Sequence, residues 1–93
     1  MSERDRDDLR EAADRLDAAG ENAADDEATE RLGDIAERLR SAADADRGPD
    51  HGRLARLTHD IREMEAEVDG EAVAAVGSAL SHVRAYRETV EGV

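Results

Sequence analysis

Histidine and arginine, gathered in one stretch, are the side chains whose type and spacing could do chemistry here. Across residues 47–62, Arg47, Arg53, Arg56 and Arg62 stand against Asp50 and Asp60, a local balance of +2 in a chain of net charge −12. His51 and His59 lie in the same stretch. Guanidinium groups near a helix start can receive a carboxylate, a phosphate or an acidic protein surface, because their forked N–H donors match two oxygens at once. The competing expectation is structural, with these arginines pairing to acids on neighbouring helices. His59 and Glu63 are four residues apart, which puts an imidazole and a carboxylate on one helix face. Two ligands fall short of a metal site, so the pair reads as a solvent-facing contact beside the seam of Leu57 and Ile61.

Other chemistry is excluded by what the chain lacks. A di-iron or di-manganese helical bundle needs Glu-x-x-His on two helices, and the residues three before His51, His59 and His82 are Gly48, Arg56 and Ala79. His-Glu-x-x-His and Gly-x-Gly-x-x-Gly runs are missing too. With neither cysteine nor lysine in the chain, thiol, Schiff-base and P-loop chemistry have no reactive group. No catalytic residue, cofactor or metal is therefore expected. The acid-rich runs at 5–8 and 25–27 read as hydrated surface, and His82 as an ordinary, partly exposed histidine.

The elements that must position the 47–62 stretch are legible from apolar spacing. Ser2 and the acids after it open a first helix near 3–19, with Leu9, Ala12, Ala13, Leu16 and Ala19 on one face and Gly20 as its stop. Asn22 or Asp25 caps a second helix near 23–46, whose apolar face is Ala24, Ala28, Leu32, Ile35, Ala36, Leu39, Ala42 and Ala43. Gly48 and Pro49 then force a reversal, and Asp50 caps the third helix near 51–69. Its seam is Leu54, Leu57, Ile61, Met64 and Val68, at alternating steps of three and four. After Asp69 and Gly70, a fourth helix near 71–91 carries Val73, Val76, Leu80, Val83 and Val90, with Tyr86 and Arg87 near that seam. Gly92 ends it.

Four amphipathic helices on short connections predict an all-α single domain at 1–93: an antiparallel up-down-up-down four-helix bundle, or a pair of helical hairpins. Leu32-Gly33 with Ala36, Leu39 and Arg40 echoes Val76-Gly77 with Leu80, Val83 and Arg84. Two glycines at matching helical positions predict close backbone packing, either from a duplication or by coincidence in an alanine-rich composition.

Composition speaks of the solvent. The 93 residues hold thirteen arginines and no lysine, twenty-five acids, eighteen alanines, and no Phe, Trp or Cys. So acidic a surface suits molar salt, where the Debye length shrinks to about 3 Å and self-repulsion is screened. Nucleic-acid binding is disfavoured by the charge and by a single aromatic residue, Tyr86. Membrane attachment is disfavoured by acidic polar faces and alanine-rich apolar ones. The first eight residues alternate in charge where a signal peptide would be apolar, so a cytoplasmic protein is expected.

Residues 46–56 (DRGPDHGRLAR) and 86–93 (YRETVEGV) resemble a family of short helical proteins of unknown function from halophilic archaea. The resemblance implies salt adaptation and brings no activity, substrate or catalytic residue with it. The leading expectation is thus a non-enzymatic helical protein acting through association with a protein partner or with itself as a homodimer. The apolar seams of the third and fourth helices would supply the contact and residues 47–62 would orient it. The alternative is a small anion- or ligand-binding module centred on His51, Arg53, Arg56 and His59.

Overall fold

The computed structural model describes residues 3–45 and 50–91, with side chains given for 6–45 and 50–89. Four helices account for nearly all of it: α1 (Glu3–Asn22), α2 (Asp26–Asp44), α3 (His51–Glu67) and α4 (Glu71–Glu91). There is no strand among the described residues. Each helix packs against two others, α1 on α2 and α4, and α3 on α2 and α4, while the diagonal pairs stay apart. That is the arrangement of a four-helix bundle closed within one chain, 39 Å long and about 20 Å across. Cross-helix bonds fix the antiparallel sense of two pairs: Arg10 reaches Asp44 while Arg40 reaches Asp14 and Asp17, and Arg31 reaches Glu67 while Arg38 reaches Asp60.

Every helix turns one apolar stripe inward. Leu9, Ala12, Ala13, Leu16 and Ala19 of α1 are fully buried, as are Leu32, Ala36, Leu39, Ala42 and Ala43 of α2. On α3 the buried residues are Leu54, Leu57, Thr58, Ile61 and Met64, and Thr58 satisfies its hydroxyl by donating to the Leu54 carbonyl at 2.8 Å. The seams of α3 and α4 therefore line the core and leave Val73, 36% exposed, as the one exposed large apolar side chain among the described residues. The expected seam of α4 shifts accordingly, since Ala72 rather than Val73 faces inward and Tyr86 is fully buried. An aromatic ring in the core supplies volume that Leu or Val would leave open.

Several helix ends differ from the expected ones. Gly20 does not stop α1, because the only left-handed glycine among the described residues is Gly70, at φ 61. Instead Gly20 lies where α1 meets α2: its carbonyl accepts the Thr29 hydroxyl at 3.0 Å and the Ala23 N–H at 3.3 Å. The helix runs on to Asn22, whose amide donates to the Ala18 carbonyl at 3.0 Å. Asp25, not Asn22, caps α2, so α2 starts at Asp26 and Ala24 is an exposed linker residue. Asp50 caps α3, accepting the Arg53 N–H at 2.8 Å. Ser2, the turn at Gly48 and Pro49, the Val90 side chain and Gly92 lie outside the described residues.

Close packing at the matched glycines is not found. A Cβ on Gly33 would meet nothing within 4 Å, and one on Gly77 would meet only the mobile tip of Glu65, at 3.3 Å. Gly33→Ala should accordingly raise stability by about 0.5–1 kcal/mol, the helical preference of alanine over glycine. Gly70→Ala should lower it by about 1–2 kcal/mol, because its left-handed backbone crowds a Cβ. Urea unfolding followed by far-UV circular dichroism measures both, and a destabilised Gly33→Ala would mean that the packing around α2 is tighter than described.

Candidate functional site

The α2–α3 contact is the thinnest of the four in the bundle. It is closed at its rim by charge. On α3, Arg53, Arg56, Asp60, Glu63 and Glu67 recur at steps of three and four, which aligns them along one edge of the helix. On α2, Glu27, Arg31, Asp34 and Arg38 do the same. Because the helices run antiparallel, the two edges meet as a ladder. Arg31 bonds Glu67 at 2.5 Å and approaches Glu63 at 3.6 Å, and Arg38 bonds Asp60 at 2.6 Å. The Glu67 carboxylate, bonded to the guanidinium of Arg31, raises that arginine's pKa above its ordinary value.

The ladder then runs out. Beyond Asp60 the α3 edge changes sign, to Arg56 and Arg53, while the next residues along α2 are Ser41, Ala42 and Ala45, which carry no acid. An open groove of about 630 Å³ lies at this end, lined by Arg38, Asp50, Gly52, Arg53, Arg56, Leu57 and Asp60. Both of its acids are engaged, Asp50 as the cap of α3 and Asp60 with Arg38. Among the described residues Arg53 and Arg56 form no ion pair. Among the described residues, the two arginines that line the groove thus pair with no acid of a neighbouring helix.

The six candidates from the sequence are dispersed by the helix. Arg53 and Arg56 share the groove. Arg62, nine residues or about two and a half turns beyond Arg53, is exposed on the opposite side of α3. His51 is exposed at the helix start and is not part of the groove lining. His59 turns to Glu63, Nε2 to Oε1 3.3 Å, and Arg47 lies outside the described residues. Sequence reasoning missed Arg38, which comes from α2. The signal was present in the matching three-and-four spacing of polar residues on both helices, which pairs acid with arginine at one end and strands arginine at the other.

Several other arginines, and His82, are engaged by contrast. Arg40 donates to Asp17 at 2.5 Å and to Asp14 at 2.9 Å, and these hydrogen bonds, Asp17 first, raise its pKa. Arg6 donates to the carbonyls of Ala43 and Ala45, which α2 leaves unsatisfied at its C-terminus. His82 Nδ1 lies 3.1 Å from Asp8. Arg53→Gln and Arg56→Gln should each change stability by less than about 0.5 kcal/mol, whereas Arg40→Gln should cost about 0.5–1 kcal/mol. Thermal unfolding at fixed salt discriminates, and a large loss at Arg53 or Arg56 would assign them to the fold.

No helix among the described residues is long and apolar enough to cross a membrane. A family model described as "Family of unknown function (DUF7553)" matches residues 4–89. No curated protein and no solved structure matches the chain.

Proposed function

The chain belongs to this family of unknown function, and we propose that it is a non-enzymatic association module whose arginine-lined groove between α2 and α3 receives an acidic element of a protein partner. The observation that carries this reading is the unfinished ladder. Arg53 and Arg56 continue the α3 edge at the spacing already used to bind arginine to acid, with no acid opposite them on α2. A partner helix or strand bearing carboxylates at three-and-four or alternate spacing would supply the missing rungs.

Three features favour a protein surface over an enclosed small ligand. The groove is open, only Leu57 among its lining residues is apolar, and its cations are spread along a helix edge. Small-molecule pockets bury most of their ligand against apolar walls. Association through the apolar seams of α3 and α4 has less support, because those seams are buried within the bundle. With them covered, the contact falls to the polar groove that had been expected only to orient it.

We read the setting as a salt-adapted cytoplasm such as that of halophilic archaea. Support comes from the missing lysine, the twenty-five acids and the resemblance of residues 46–56 and 86–93. At ~1 M salt long-range steering is lost, but paired N–H to carboxylate bonds act at contact distance and persist.

The test is fluorescence anisotropy with a labelled helical peptide carrying glutamates four apart, in ~1 M KCl. Wild type should bind, and Arg53→Gln/Arg56→Gln should weaken binding at least ~10-fold, about 1.4 kcal/mol. Equal binding by wild type and the double variant would sink the proposal. Displacement of the peptide by millimolar inorganic phosphate at constant ionic strength would instead favour the small-anion module.

A further inference from the structure

On the outer side of the same ladder, His59, Asp60 and Glu63 bring one ligand atom each to within 4.8 Å of one another. The sequence pairs only His59 with Glu63. Folding adds Asp60, one residue beyond His59 and three before Glu63, because on a helix of 3.6 residues per turn Glu63 stands between the other two. We propose that these three side chains bind a divalent first-row transition ion of the zinc type, at a site that borders the arginine groove through Asp60.

The geometry is close to what such an ion requires. A tetrahedral shell with ligands at about 2.0–2.2 Å has edges of roughly 3.3–3.6 Å. His59 Nε2 and Glu63 Oε1 already stand 3.3 Å apart. The remaining separations close with side-chain rotation, for which there is room, since the side chains of His59 and Glu63 are 71% and 49% exposed. All three residues lie within α3, so the backbone is already fixed and binding orders only side chains. An imidazole with two carboxylates selects zinc, cobalt or nickel over magnesium and calcium, which prefer all-oxygen shells. Three protein ligands leave the fourth position to water.

Two arginines compete with the ion. Arg38 holds Asp60 Oδ2 at 2.6 Å, and Arg31 lies 3.6 Å from Glu63 while bonded more closely to Glu67. Arg31 can therefore release Glu63 and keep a partner, whereas Arg38 is the principal rival for Asp60. The signature that an unspecific acidic surface would lack is the response to loss of His59. Removing a positive charge from anywhere on an acidic protein strengthens cation binding a little, but removing His59 weakens it only if the imidazole is a ligand.

Isothermal titration of zinc into the full chain, in chelator-free buffer at fixed salt, should give one ion per chain. His59→Ala should weaken binding at least ~10-fold, and Glu63→Gln comparably. Arg38→Gln should tighten it several-fold by freeing Asp60, and Arg53→Gln/Arg56→Gln should leave it nearly unaltered. Magnesium in excess should not displace the zinc. Circular dichroism checks that each variant keeps its helices, as expected for an exposed His59. Absence of a one-to-one zinc site, wild-type affinity in His59→Ala, or weaker binding in Arg38→Gln would each overturn the assignment.

Discussion

How closely two helices approach before their charged edges meet sets the character of each face of this bundle. Between α1 and α2 the buried residues include Ala12, Ala13, Ala19, Ala36, Ala42 and Ala43. Small side chains bring these axes near, so the polar residues flanking the stripe reach across with ease. Arg6 donates to backbone carbonyls of α2, Arg10 and Arg40 reach acids on the opposite helix, and the Gly20 carbonyl takes the Thr29 hydroxyl. Between α2 and α3 the inward side chains of α3 are Leu54, Leu57, Ile61 and Met64, and the contact is slighter. There the rim is a ladder of arginine and acid with a groove at the end where it lacks rungs. The difference between a sealed face and an open one thus traces to the placing of alanine.

Arginine as the sole basic side chain gives this rim its form. A lysine is a single charge on a flexible stem, whereas a guanidinium can bridge two acceptors in a fixed fork. Arg40 spans Asp14 and Asp17, and Arg31 spans Glu63 and Glu67. Such solvent-screened contacts are individually weak, so the ladders do not hold the fold by themselves. Burial of the apolar stripes does that. What such pairs do is favour one register of the helices, since a carboxylate opposite an arginine is accepted and a like charge is not.

Much of this was legible in the sequence, and the exceptions have physical causes. Helix number, the cap at Asp50, the reversal at Gly70 and almost all of the core follow from apolar spacing and turn chemistry, which are local. Gly20 reads as a stop in the sequence because a glycine near a helix end looks the same whether it turns the chain or lets another helix approach, and only the neighbour Thr29 decides between them. Tyr86 was legible as near the seam, but its full burial depends on the volume that facing helices leave. The groove was half visible. Arg53 and Arg56 stand out by composition, yet they are distinguished from Arg62 by helix phase and from Arg40 by the lack of a partner, and that second property belongs to the pairing of α2 with α3.

Asp60 and Arg38 tie the two proposed sites together. In the unliganded chain each neutralises the other, so the groove has one cation fewer to offer and the His59 cluster one carboxylate fewer. An anion drawn to Arg38 would release Asp60 toward the outer cluster, and a cation drawn to Asp60 would release Arg38 toward the groove. Each occupant thereby lowers the cost of the other, and linkage requires the coupling to be equal in both directions. Screening at ~1 M salt does not abolish it, because the exchange takes place at contact distance between bonded groups. On this account the pair at the end of the ladder links the two proposed half-sites as well as bracing the thinnest face of the bundle. The magnitude of the coupling is bounded by the net worth of the bond that is given up, and for a pair this exposed that is on the order of 1 kcal/mol, or about fivefold in affinity.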